Sequence, residues 1–210
     1  MVDTRRIIRE QAETLVARLL QEAPRDITAT DFGMSDAARR VQFVSKLKRD
    51  KRARVIDHFG GLALVKVGRT IYVENEEGLT YFVQWADRKY AALPGRHCTQ
   101  IAVWRRAGTI PGLASRVFWQ HLFPIHGTLM TDATQTTDGK NFWADRVQDA
   151  LRQKLYVYRV NLVQHLVTPV KSMPEYEQWR VKMYGQEKKY ELENLVITDK
   201  PVEEKPPATT

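Results

Sequence analysis

The chain has 210 residues, 43% of them hydrophobic, with 33 Lys and Arg against 25 Asp and Glu for a net charge of +8. That length can bury a core without staples and favours one main domain with an appendage, and the single cysteine, Cys98, excludes an intramolecular disulfide and fits a reducing compartment. No run approaches the ~18 apolar residues of a membrane span, and the positive field favours anionic partners such as nucleic acid, an acidic protein or a phosphate-bearing cofactor.

In chain order, Met1-Val2-Asp3-Thr4-Arg5-Arg6 lacks the apolar stretch of a secretory signal, and Glu10, Glu13 and Glu22 argue against a transit peptide. A cytoplasmic location without a membrane partner is expected. Arg5 to Glu22 reads as an amphipathic helix with Ile8, Ala12, Leu15, Val16, Leu19 and Leu20 on one face, Thr4 as N-cap and Pro24 as stop. A second helix starts at Ser35 or Asp36 and buries Val41, Val44 and Leu47, helped by Phe43. Its other side is basic, with Arg39, Arg40, Lys46, Lys48, Arg49, Lys51, Arg52 and Arg54, and Gly60-Gly61 ends the helical region.

The pattern then changes to an antiparallel meander. Strands are expected over 62–67, 70–74, 79–85 and 99–105, with a turn at Asn75-Glu76-Glu77-Gly78 and a break at Pro94-Gly95. Pro111-Gly112 opens a helix carrying Leu113, Ala114, Val117, Phe118, His121 and Leu122, and Pro124 ends it. A short strand over 128–131 follows. Asp138 caps a helix to about Lys154 that turns Phe142, Trp143, Val147, Ala150 and Leu151 inward. A strand over 155–160, a short helix from Pro174 to Tyr184 closed by Gly185, and a strand over 193–198 complete the domain. The expected organisation is a helix and linker over 1–34, an α/β domain over 35–199 with an α+β mixed sheet, and a disordered tail over 200–210 rich in Pro, Glu, Lys and Thr.

Several residues are candidates for chemistry. Arg105 and Arg106 can pair with phosphates while Gly108 and Gly112 let backbone approach, although a strand–helix connection also needs Gly and Pro for its shape. Asp132 follows a strand end, beyond which ligands of open α/β sheets tend to lie, and it can accept a proton or contact a substrate amine. The basic run Arg39, Arg40, Lys46, Lys48, Arg49, Lys51 and Arg52 can track phosphates, and a solvated helix face explains it as well. The histidines are scattered and His97-Cys98 suits no zinc spacing, so no metal is expected. The five tryptophans read as core packing.

Two stretches resemble the GNAT (N-acetyltransferase-like) superfamily: Thr99-Gln100-Ile101-Ala102-Val103-Trp104-Arg105-Arg106-Ala107-Gly108-Thr109-Ile110-Pro111-Gly112-Leu113-Ala114, and Leu129-Met130-Thr131-Asp132 followed by Asp138-Gly139-Lys140-Asn141-Phe142-Trp143. Together with the element order over roughly 35–198, the texture is similar to degenerate members encoded by phages and other mobile elements. The resemblance implies an acyltransferase that moves an acyl group from acyl-CoA (acetyl-CoA) to an amine. It also implies that Arg105, Arg106, Gly108, Gly112 and Leu113 hold the cofactor's pyrophosphate through loop and helix N–H groups. In the family the cofactor's pantetheine arm lies where two mid-sheet strands splay apart. The family loop runs Gln or Arg, two residues, Gly, one residue, Gly or Ala; here Gly108 keeps the first spacing but Ile110 stands at the last position. The family's first strand is not visible, and Trp143 stands near the usual tyrosine acid. These departures leave open a protein on this fold that does no catalysis and holds nucleic acid or an acidic protein on its basic face.

Overall fold

The computed structural model describes residues 37–94, 96–106, 109–131, 137–180 and 193–202. The expected helix over 5–22, the start at Ser35 or Asp36 and the tail beyond 202 lie outside the described residues.

Five strands form the meander: β1 (Arg54–Phe59), β2 (Leu62–Val67), β3 (Thr70–Asn75), β4 (Gly78–Arg88) and β5 (Cys98–Arg105), each antiparallel to the next. β1 is a correction. The basic run led to an expected helix reaching Gly60, but the helix ends at Arg49 and Arg54–Phe59 pairs with β2. Gly60 and Gly61 sit at φ +57° and +80° between β1 and β2. Such a two-residue connection with both φ values positive matches the twist of a hairpin, so the Gly pair closes a β-turn instead of stopping a helix. Four more strands follow: β6 (Thr128–Met130), β7 (Tyr156–Asn161), β8 (Leu166–Pro169) and β9 (Glu193–Thr198). The strand β8 was not expected.

The nine strands among the described residues join one sheet in the order β1-β2-β3-β4-β5-β6-β9-β7-β8. β5 and β6 run parallel; every other neighbouring pair is antiparallel. The molecule is therefore an α+β protein with a mixed sheet, and its last strand inserts between β6 and β7.

Helix α1 (Ala37–Arg49) ends in Lys46, Lys48 and Arg49, cations that suit the negative end of a helix. Between β5 and β6, α2 (Leu113–Arg116), a π-helical stretch (Val117–Leu122) and α3 (Phe123–His126) follow without a break. Pro124 does not end this run, contrary to expectation. It lacks the N–H that would bond four residues back and its ring crowds that carbonyl. The helix widens instead: Phe123 N–H donates to Phe118 O, five residues back. Gly127 at φ +64° then caps the run, its N–H donating to Phe123 O. α4 (Thr137–Arg152) and α5 (Met173–Arg180) complete the helices among the described residues. At the start of α5, Glu175 N–H donates to Ser172 Oγ (3.4 Å), and Lys171 N–H donates to Glu175 Oε2 (2.7 Å). No helix among the described residues is long and apolar enough to cross a membrane.

The helical run 113–126, α4 and α5 cover one face of the sheet. Alternate residues of the strands (Leu64, Val73, Tyr81, Val83, Ile101, Leu129, Val157, Leu195, Ile197) meet Val117, Phe118, Leu122, Trp143, Val147 and Tyr176 there. The opposite face is covered in two parts. Val44 and Leu47 of α1 pack on Val67, Tyr72, Leu79 and Phe82, while Ala92, Leu93 and Val202 pack on Cys98, Met130, Tyr158, Val160 and Val196. Val202 N–H donates to the Tyr158 hydroxyl at 2.9 Å, which fastens the chain after β9 to β7.

Candidate functional site

The centre of the sheet opens into a wedge. β5 and β6 pair only at Thr99↔Leu129 and Gln100↔Met130. β5 then continues to Arg105 with β4 as its neighbour, the last pair being Tyr81↔Arg105. β6 turns the other way: Thr131 N–H donates to Leu195 O (2.9 Å) and Leu195 N–H donates to Thr131 Oγ1 (3.0 Å), so its end stays with β9. In an antiparallel ladder, alternate residues direct both N–H and C=O to the same neighbour. Arg106 N–H donates to Thr80 O at 2.8 Å, which extends the β4–β5 register. The even-numbered residues of β5 therefore bond β4, and Val103 and Arg105 direct their N–H and C=O toward the wedge. Among the described residues no strand pairs with that edge.

The sequence candidates are not gathered at this wedge: Gly112 stands beside Phe59 of β1. Arg105 is exposed at the mouth of the wedge. Arg106 is exposed too and forms an ion pair with Glu77 of the β3–β4 turn at 3.0 Å. Gly112 adopts φ +83° just before α2, a conformation that favours glycine. Leu113 turns its side chain into the core, where it is 1% exposed. Gly108 and Asp132 lie outside the described residues. Part of the loop's donor set is used within the protein: besides Arg106, Thr109 N–H donates to Arg106 O (3.2 Å) and Leu113 N–H to Ile110 O (3.3 Å).

The basic run is split by the end of α1. Lys46, Lys48 and Arg49 are on the last turn of that helix, while Lys51 and Arg52 belong to the turn that follows. Lys48 is bound to Glu74 (2.7 Å) and Arg52 to Asp50 (2.6 Å), so two of these charges have partners of their own. Hydrogen bonds from Arg52 hold the Asp50 carboxyl down at about 2. Arg39 and Arg40 fall within α1, and their side chains lie outside what is described.

Three polar groupings were not anticipated from sequence. On the edge strand, Asp57 sits at a register shift of β1 and accepts hydrogen bonds from Arg116 Nε (2.8 Å) and Nη2 (3.2 Å), and its Oδ2 lies 3.0 Å from His121 Nε2. These partners, Arg116 foremost, hold the Asp57 carboxyl well below the usual carboxylate range. Beside the far strand of the wedge, Arg159 makes a two-point salt bridge to Glu193, Asn161 Nδ2 donates to the same carboxylate (3.3 Å), and the Trp179 ring lies 3.7 Å from the guanidinium. Glu193 is only 3% exposed, and these donors satisfy it. Finally, Arg146 of α4 is buried on the helix-covered face with Asp149 as its ion partner at 3.1 Å. Each grouping joins residues at least two elements apart or breaks the apolar face of a helix, so periodicity carries no sign of it. The one available signal was the charge of Arg146 between Trp143 and Val147.

Cys98 has no place in this chemistry. It is fully buried, and burial pushes its thiol up to about 12. Among the described residues, no group of three or more His, Cys, Asp or Glu side chains could hold a metal ion.

No protein-family model matches the chain, and no curated protein or solved structure matches it.

Proposed function

We propose that the chain is a GNAT-like protein that takes an acyl-CoA into the wedge between β5 and β6 and transfers the acyl group to an amine. The observation that carries this reading is the separation of β5 from β6 after two residue pairs, which leaves Val103 and Arg105 with backbone groups directed into the gap. An extended chain bearing amides can bond such an edge as a missing strand would. The pantetheine arm of CoA is a chain of that kind. Arg105, exposed at the end of β5, suits its phosphates, and Arg106 can join it because its pair with Glu77 is exposed and weak enough to exchange.

When bound, acyl-CoA would supply the activated acyl thioester. The protein's part is to fix that group, exclude water with the Ile101 and Leu129 layer, and admit an amine beside it. Asp132, one residue beyond Thr131 at the end of β6, is the proposed base or amine contact. The fit is good for the arm and partial for the pyrophosphate, since the Arg106, Thr109 and Leu113 amides already have acceptors. Thermal melting with acetyl-CoA tests the reading. A ligand that binds the native state alone raises Tm, so a dose-dependent rise is expected, and no rise at millimolar acetyl-CoA overturns it.

The committed loop amides favour a second reading, in which the fold is kept without catalysis and the exposed Lys46, Arg49 and Lys51 hold nucleic acid or an acidic protein. Retention on heparin or DNA that collapses steeply with salt supports that reading. Retention that survives charge reversal at Lys46, Arg49 and Lys51 discards the basic face.

A further inference from the structure

We propose that the protein holds the phosphate backbone of a nucleic acid on a stripe of cations across β1, β2 and the β2–β3 turn, with Arg54, Lys66 and Arg69 as its contacts. The stripe goes beyond both readings above: β3 and β4 separate it from β5, and it lies on the face opposite α1. Arg54 and Lys66 are direct cross-strand partners, so their side chains leave the sheet on the same face. Lys66 identifies that face. Its Nζ lies 5.3 Å from the centre of the Trp85 ring, which belongs to the core beneath the helical run 113–126. Arg69 joins them there. Trp85 N–H donates to Arg69 O at 3.2 Å, and Arg69 Nη2 lies 3.2 Å from Asp87 Oδ2, two residues beyond Trp85 on the same side of β4. His126, the last residue of the run, meets the Trp85 ring edge-on at 5.7 Å.

The charge balance of this stripe calls for an anion. Like charges placed directly opposite in an antiparallel pair destabilise it. Among the described residues neither Arg54 nor Lys66 has an acidic partner. The Trp85 ring steadies the Lys66 ammonium but brings no net negative charge. The acid of β1, Asp57, is taken by Arg116 and His121, and Asp87 by Arg69 and Thr99. Arg54 and Arg69 are exposed, so the stripe offers charge without enclosure, which suits an extended polyanion over a small anion held in a pocket. A guanidinium grips two oxygens of one phosphate, and an ammonium opposite it can reach the same group. A phosphodiester backbone presents such a group at every nucleotide, whereas the acids of a protein are spaced among neutral residues. Trp85 is only 6% exposed and offers no face for stacking, so the contact is to the backbone and independent of base sequence.

Fluorescence anisotropy of a short labelled DNA duplex, titrated with the full chain over a series of salt concentrations, tests this. The variants are Arg54→Gln/Lys66→Gln and, with the same loss of net charge on α1, Lys46→Gln/Arg49→Gln, each checked for folding by thermal melting. Each phosphate contact removed lowers the slope of log K against log salt by about 0.9, so the sheet variant should lower it by about 1.8. The α1 variant should change it by less than half as much. An unchanged slope in the sheet variant overturns the stripe, and equal effects of the two variants make the response one of net charge and overturn it too. Arg54→Gln alone relieves the opposed pair and should melt no lower than wild type; a lower Tm would show that Arg54 is held by an internal partner, against the proposal. Polyglutamate that displaces the duplex at a lower concentration of charge than unlabelled DNA overturns the nucleic-acid assignment in favour of an acidic protein. No binding of wild type to DNA at low salt overturns the stripe and leaves the acetyl-CoA reading as it stands.

Discussion

Arg116 Nε lies 2.8 Å from Asp57 Oδ2, and through this contact the edge strand β1 is fastened to the helical run that covers the sheet. His121 Nε2 reaches the same oxygen at 3.0 Å, so one carboxylate serves two side chains from that run. The junction coincides with two local irregularities, the register shift of β1 at Val55/Asp57 and the π-helical stretch Val117–Leu122 that carries His121. An extra residue in the strand re-aims Asp57, and the widened helix places His121 on the same side as Arg116.

This junction predicts a pH-dependent stability difference. Asp57 has its folded-state pKa lowered by Arg116 first and His121 next, so its contribution is fully present above the unfolded carboxylate value of about 4 and is lost as pH falls through the lower folded value. Asp57→Asn should lower Tm near neutral pH, and the gap to wild type should narrow as acidity increases below about pH 4. Melting curves across that range check it. A gap that is constant or widens on acidification contradicts the assignment.

Phe118 is the ring that joins the helical run to α4. Its centroid lies 4.7 Å from Trp119, 5.9 Å from Phe142 and 5.6 Å from Trp143, and the residue is 1% exposed. Truncating a buried aromatic of this kind costs about 3–5 kcal/mol. Phe118→Ala should show that loss in urea unfolding, and Phe118→Leu a smaller one because more of the volume remains. A loss below about 1 kcal/mol for the alanine variant would mean that the two helices do not meet at this ring.

Cys98 should behave as an inert thiol. Full burial and a thiol pushed up to about 12 leave almost no thiolate at neutral pH. Reaction with a disulfide reagent should be negligible in the folded protein and stoichiometric after denaturation. Rapid labelling of native protein would place β5 in a more open environment than the sheet described here.

Much of the fold was legible because its elements follow clean patterns. Glu193–Thr198 and Leu62–Val67 were expected with the bounds they have, and the meander from β2 to β5 needed only the turn at Asn75 to Gly78 and alternating side chains. β1 was misread because Arg54 continues the charge run of α1, and six residues are too few for alternation to outweigh that run. Pro124 was misread because a proline inside a helix is normally a stop, whereas here a π-turn absorbs it. The insertion of β9 between β6 and β7 is a long-range pairing, and no local pattern announces it. The wedge was legible only as an expectation carried by resemblance. Its geometry comes from where β6 stops pairing with β5, a property of two strands and not of either sequence. Arg105 lies at the free end of β5, whereas Arg106 faces Glu77 of the β3–β4 turn and Gly112 stands beside Phe59 of β1, neighbours that no local pattern announces.

Amide hydrogen exchange at single-residue resolution, with and without acetyl-CoA, is the most direct measurement of whether the open edge of β5 takes a ligand. Ala102 and Trp104 face β4 and should be protected in both states. Val103 and Arg105 should exchange faster in the free protein and slow markedly when acetyl-CoA is added. Unchanged exchange at Val103 and Arg105 in the presence of saturating acetyl-CoA would contradict the wedge as a binding site.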